Sequence, residues 1–326
     1  MKKRTLFFLI SLAMLSTNFQ EAYSQDFEIK HADSLEAAEN EISISGGVFV
    51  TYQNAIIMAT KATIISNADG KAEKAVFLGT SKVELTDRNI QADKITMYLN
   101  NKLIVAEGNT MSTLTDKEKT DILIKADYQE LHWEGEGAKA TGNIKTNYQD
   151  TEVISDKAEI IYKGKDPDKA IFHGINKSAI LSQKNHLTKA KEFIFDIKTK
   201  DVTANESVES TICPYGSQSK EKQSKISVSA DNLYLNHLSE EATAKSNKNK
   251  VKLTYEDTYG ESNNATLVRN KADKKPDKII FTGQANVTQK DKELSSEEII
   301  FNFNDKKLVS TKVSDVRPKT IIFKQN

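Results

Sequence analysis

The chain has 326 residues, 46 of them basic and 46 acidic, and 38% are hydrophobic. With only 4 Pro and 13 Gly it is neither collagen-like nor disordered, and its balanced charge gives no drive toward nucleic acid. Cys213 is the only cysteine, which excludes an intrachain disulfide, so an exported form must be stabilised by a real core.

The chain opens with a basic stretch, Lys2-Lys3-Arg4, followed by the apolar run "TLFFLISLAML" (5–15), too short to span a bilayer. "AYS" (22–24) then places small residues around a cut after Ser24. Residues 1–24 are expected to be a cleaved secretory signal peptide, and residues 25–326 the mature chain. An uncleaved membrane anchor is the other reading of the same segment.

Two phrases then alternate along the chain. The first is a small residue, usually an acid, and a run of alternating apolar positions. It begins at Ala32, Ala92, Ala126, Ser155, Ala190, Ala230 and Ser296, with weaker copies at Ala59 and Ser262. The second carries Gly or Asn before a polar residue, as in "SGGVFV" (45–50), "LGTSKV" (78–83), "EGNTM" (107–111), "TGNIKT" (141–146), "HGINKS" (173–178) and "TGQANV" (282–287). "ANESV" (204–208) puts Asn205 in the Gly position, and "SNKNKV" near 246–251 is similar. Gly or Asn supplies positive φ at a turn or bulge, so each unit is expected to be strand, turn, strand, bend, strand.

Inside the phrases the apolar period is two, which argues for half-buried strands rather than helices. Ile64, Ile95 with Met97, Ile160, Phe193 with Phe195, Leu233 with Leu235, and Ile299 with Phe301 and Phe303 each fall on one face. Even "DSLEAAENE" (33–41), helical by propensity, aligns with the other phrases and is expected to be strand and turn. The fold expected is all-β: an elongated array of antiparallel strands in about nine strand-turn-strand repeats, closed as a sandwich or splayed into a trough. The polar stretch "CPYGSQSKEKQSK" (213–225) is a candidate hinge loop or a domain boundary. A strand array that never closes leaves an edge at each end. Ile42, Ile44 and Val48 mark a candidate first edge, and Ile321, Ile322 and Phe323 a candidate last one.

The alternation of Ala-Asp phrases with Gly-Asn turns (Gly108-Asn109, Gly142-Asn143), and the opening "IKHADSLE" behind a signal peptide, resemble the OstA-like/LptA family of periplasmic lipopolysaccharide-transport proteins. The resemblance covers about residues 28–311. It implies an elongated, open antiparallel β-jellyroll (OstA-like) in a periplasmic protein whose apolar trough shields the acyl chains of lipid A, with the eleven residues from Ile64 to Phe303 named above as the trough lining. It also implies head-to-tail assembly by edge strands, and inner- and outer-membrane transport subunits as partners. Gln129 and Arg269 depart from the pattern, since apolar residues are expected there.

No catalytic or metal constellation competes strongly. His31, His132, His173, His186 and His237 lack ligand spacing, and neither a Gly-x-Ser-x-Gly elbow nor a phosphate loop is present. The recurring acids, among them Asp127, Asp156 and Asp231, are expected at strand starts, accepting backbone N–H bonds. No enzymatic activity, cofactor or metal is therefore expected. The alternative to a lipid carrier is a structural or adhesive β-repeat protein with a filled core.

Overall fold

The computed structural model describes residues 27–115, 118–133, 137–164, 166–214, 224–310 and 319–322. The expected signal peptide, Phe323 and most of the 213–225 loop lie outside these residues. All 24 described elements are β-strands, and every pairing among them is antiparallel, as the period-two pattern requires.

The strands form a meander in which each long strand is bent near its middle. Leu103–Thr115 pairs with Asp121–His132 from Leu103 opposite His132 to Glu107 opposite Tyr128; the register then slips and resumes at Thr110 opposite Ala126. The same slip recurs at Ser45/Val48, Met58/Lys61, Leu78/Ser81, Gln91/Lys94, Ser155/Lys157, Asn205/Val208 and Thr282/Ala285. Elsewhere the bend interrupts the strand, as between His186–Ala190 and Glu192–Asp196.

Each bend carries its strand from a front layer into a back layer, or the reverse. Side chains from the two layers meet inside: Tyr148 of the front packs edge-on against Phe195 of the back at 5.5 Å, and Tyr255 against Phe303 at 5.0 Å. One continuous apolar cluster runs from Ile44 to Phe303. With each interrupted strand counted as one, nine bent strands among the described residues run front to back, alternating with strands that run back to front. At about 4.8 Å per strand such a stack is roughly 80 Å long. This is the expected elongated repeat architecture.

The bends correct one expectation. The acidic phrases do not start strands; they sit at the corners. Ile122, Ile124 and Ala126 face inward before the corner at Asp127, and Gln129 and Leu131 face inward after it. The apolar alternation slips by one residue at the acid. Without that extra residue one half of the strand would turn its apolar side to water.

The corners are also where glycine is needed. Gly108 (φ +76°) and Gly142 (φ +78°) are left-handed, and a Cβ would lie 2.7 Å from Asp93 Oδ2 and 2.4 Å from Asp127 Oδ2, respectively. In the 204–208 phrase the left-handed residues are Glu206 (φ 62°) and Ser207 (φ 53°), so Glu206, not Asn205, occupies the glycine position. Gly108→Ala is expected to cost about 1–3 kcal/mol, and Glu206→Gly to stabilise by up to about 1 kcal/mol, both measured by chemical denaturation.

Candidate functional site

Along one long side the corners line up into a spine. The carboxylate of one corner binds the turn of its neighbour: Asn109 Nδ2 donates to Asp93 Oδ2 at 2.7 Å, and Asn143 Nδ2 to Asp127 Oδ2 at 2.8 Å. Where the Gly-Asn pair is lost, backbone donors replace it. The amides of Ile175 and Asn176 donate to Asp156, and those of Asn247 and Lys248 to Asp231. The N–H groups of Asn176 and then Ile175 hold the Asp156 carboxyl below its ordinary range; those of Lys248 and then Asn247 do so for Asp231. These acids are structural latches, and their repetition follows from the repetition of the corner.

The opposite long side is a mouth formed by two facing rows of hairpin turns. Among the described residues no backbone ladder crosses it; side-chain ties do. Arg88 Nη1 of a front turn donates to the His132 carbonyl of a back turn at 3.1 Å. Lys200 pairs with Glu118 at 2.9 Å, and Lys306 with Glu256 at 2.6 Å. Arg269 Nη1 donates to the Pro214 carbonyl at 3.0 Å, and Gln289 Nε2 to the Lys306 carbonyl at 3.2 Å. The two exposed ion pairs are worth about 0–1 kcal/mol each, and the hydrogen bonds of the buried Arg88 and Arg269 guanidiniums about 1.5–3 kcal/mol. The spine is thus the strong side and the mouth the weak one. A cleft of about 330 Å³ opens at the mouth between Glu118 and the back-layer residues Lys163, Asp168 and Lys198.

Between spine and mouth lies the interior. Ile64, Ile95, Met97, Ile160, Phe193, Phe195, Leu233, Leu235, Ile299, Phe301 and Phe303 all lie there, on the back layer, each only 0–7% exposed. The front half of the lining was not singled out from sequence: Val50, Ile57, Ile90, Ile124, Val153, Leu181 and Ile226 are equally buried. Its signal was present, because the period-two pattern extends upstream through the small residue of each phrase. The interior is closed in this structure, its own side chains filling the space between the layers.

The two departures from the apolar pattern have distinct places. Arg269 is buried at the mouth, its guanidinium bonded to the carbonyls of Glu240, Pro214 and Lys274. Gln129 is deep inside, 4% exposed. Ser112 Oγ donates to its Oε1 at 2.6 Å, and its Nε2 donates to Thr110 Oγ1 at 2.8 Å and to the Ile124 carbonyl at 3.2 Å. These bonds join the back layer to the front.

The expected first edge is corrected. Ile42, Ile44 and Val48 lie on Glu41–Tyr52, which is covered outside by Phe27–His31 on its front half and Ser34–Ala38 on its back half. Among the described residues the outermost strand at this end is therefore the bent segment 27–38, with Leu35 half exposed. Composition marks a segment as strand but does not rank its neighbours. At the other end Ile321 and Ile322 lie on Lys319–Ile322, paired with Lys292–Ser295; Phe323 lies outside the described residues. The 213–225 loop joins strands that pair with each other, Ile212 opposite Ile226, so its base is a hairpin.

Among the described residues no group of three or more His, Cys, Asp or Glu is placed to hold a metal ion, and no helix is long and apolar enough to cross a membrane. His186, at the mouth, has a buried Nδ1 without a partner. Burial and then nearby Arg269 push its pKa from 6.5 down to about 4. The unfolded chain takes up this proton near pH 6.5 and the folded one only near 4. Its contribution is therefore complete above the upper value and lost as pH falls toward the lower. Denaturation across that window should show stability falling with pH, and His186→Gln should flatten the slope.

No family model matches the chain, and no curated protein matches it. Among solved structures one match is LptH from Pseudomonas aeruginosa, described as the LptA-homologous periplasmic component of the conserved lipopolysaccharide transport device. It is 11% identical, and the match covers 63% of this chain and 95% of LptH with a TM-score of 0.18. A TM-score this low does not establish a shared arrangement of strands.

Proposed function

We propose that this protein is a periplasmic carrier of lipopolysaccharide that takes up lipid A acyl chains between its two layers by parting the mouth. The observation that carries this reading is the asymmetry of the two long sides. Among the described residues the layers are joined by backbone and latched carboxylates along the spine, but only by side-chain ties along the mouth. Parting the mouth exposes apolar surface at about 25 cal/mol per Å², and acyl chains seated between the layers cover that surface again. The free energy of a bound chain then changes little along a trough of this length. No bond is made or broken, so the role is conduit rather than catalyst.

The terminal strands fit the same reading. Among the described residues, the segments 27–38 and Lys319–Ile322 pair on one side only, which suits head-to-tail addition of a further copy, or of inner- and outer-membrane transport subunits. Residues 1–24 would direct export. One observation favours a second reading, a structural or adhesive repeat protein: the lining residues are 0–7% exposed, so the core is filled without any lipid.

Cross-linking separates the two. Glu118→Cys with Lys200→Cys, in a Cys213→Ser background, is to be bridged by a bismaleimide. A photo-crosslinking residue at position 195 then reports lipopolysaccharide capture in cells. The carrier reading expects capture in the unbridged protein and at least a tenfold loss when the mouth is bridged. A filled scaffold gives no adduct in either form.

A further inference from the structure

The interior is not uniformly apolar. On the front layer the inward row runs Ser112, Ile124, Thr146, Val153 across adjacent strands, with Thr110 and Ser155 beside it at the spine. On the back layer the matching row runs Ala106, Gln129, Ala140, Ala158. In these rows polar Ser112, Thr146 and Gln129 stand among alanines and the branched Ile124 and Val153, whereas Phe77 and Met97 stand on one side and Phe172 and Phe193 on the other. Gln129 ties the layers together, with both amide hydrogens engaged and Oε1 accepting from Ser112 alone. Thr146 and Ser155 are each 5% exposed, and their hydroxyls have no partner.

A buried hydroxyl without a partner costs stability, and an apolar core gains nothing from it. One such donor, Thr146, stands on the strand next to Gln129, and the other, Ser155, on the strand beyond that one, while Gln129 keeps one free lone pair. Together they match one chemical group: a hydroxyl, whose oxygen accepts from Thr146 or Ser155 and whose hydrogen goes to Gln129 Oε1. We propose that the waist formed by Gln129, Thr146 and Ser155 is a subsite for the hydroxyl of a hydroxylated acyl chain, so that the interior prefers hydroxyacyl lipids to plain ones. This rests on the lipid-carrier reading and names the chain chemistry it would select.

The test uses the mature full chain and two probes of equal length, hydroxymyristate and myristate, in competition against a fluorescent fatty acid. Wild type should bind hydroxymyristate roughly five- to tenfold more tightly, the worth of one buried hydrogen bond. Thr146→Val with Ser155→Ala should bring the ratio close to one while leaving the melting temperature unchanged or higher. A structural role alone would not move that ratio. Gln129→Leu is a second variant in which the preference should shrink. Equal binding of the two probes by wild type, or a preference that survives all three changes, overturns the waist subsite and leaves the carrier intact. If neither probe binds wild type, the carrier reading and the subsite fall together.

Discussion

Everything in this molecule depends on the bend in the middle of each strand. A single antiparallel sheet of this length would expose an apolar face that nothing covers. Folding each strand over a corner lets the sheet cover itself. The corner needs one extra residue, so that apolar faces on both arms point inward, and it needs a backbone conformation open to glycine. Asp93 against Gly108-Asn109 and Asp127 against Gly142-Asn143 meet both demands, and an oxygen of each acid fills the space that a Cβ would take.

The mouth follows from the corner. Because all ladders run along the stack, the side away from the spine is left with turns whose contacts are made by side chains. Arg88, Lys200, Arg269 and Lys306 reach across it. The exposed ion pairs of Lys200 and Lys306 are individually weak and the buried guanidiniums of Arg88 and Arg269 hold more firmly, so the molecule combines a spine joined by backbone with an edge joined by side chains. That combination distinguishes it from a sandwich of two independent sheets, and it is the physical basis of the proposed uptake between the layers.

The interior as found is filled, and the proposed occupant has to replace contacts the side chains make with one another. Aromatic residues such as Phe77, Phe193 and Phe301 stand toward the two ends, while Ser112, Gln129, Thr146 and Ser155 place polar groups among the branched residues of the waist. Exchange of side-chain contacts for acyl-chain contacts is close to neutral in apolar area. The polar residues at the waist are what would make one kind of chain differ from another.

The sequence by itself determined that the chain is all-β, that it is repetitive, and which residues of the back layer point inward. These follow from local rules: the period of two from Ile95 to Met97, the left-handed preference of Gly108, the recurrence of an acid after a small residue. It misplaced the acids at strand starts and the first edge at residues 41–50. Only the tertiary structure decided that Asp127 lies at a corner, that Ser34–Ala38 lies outside Glu41–Tyr52, and that Gln129 reaches across to Ser112. Each of these depends on contacts between residues far apart in the chain or on opposite arms of a bend. A repeating local pattern is identical for every unit and so carries no information about which layer, neighbour or end a given unit occupies.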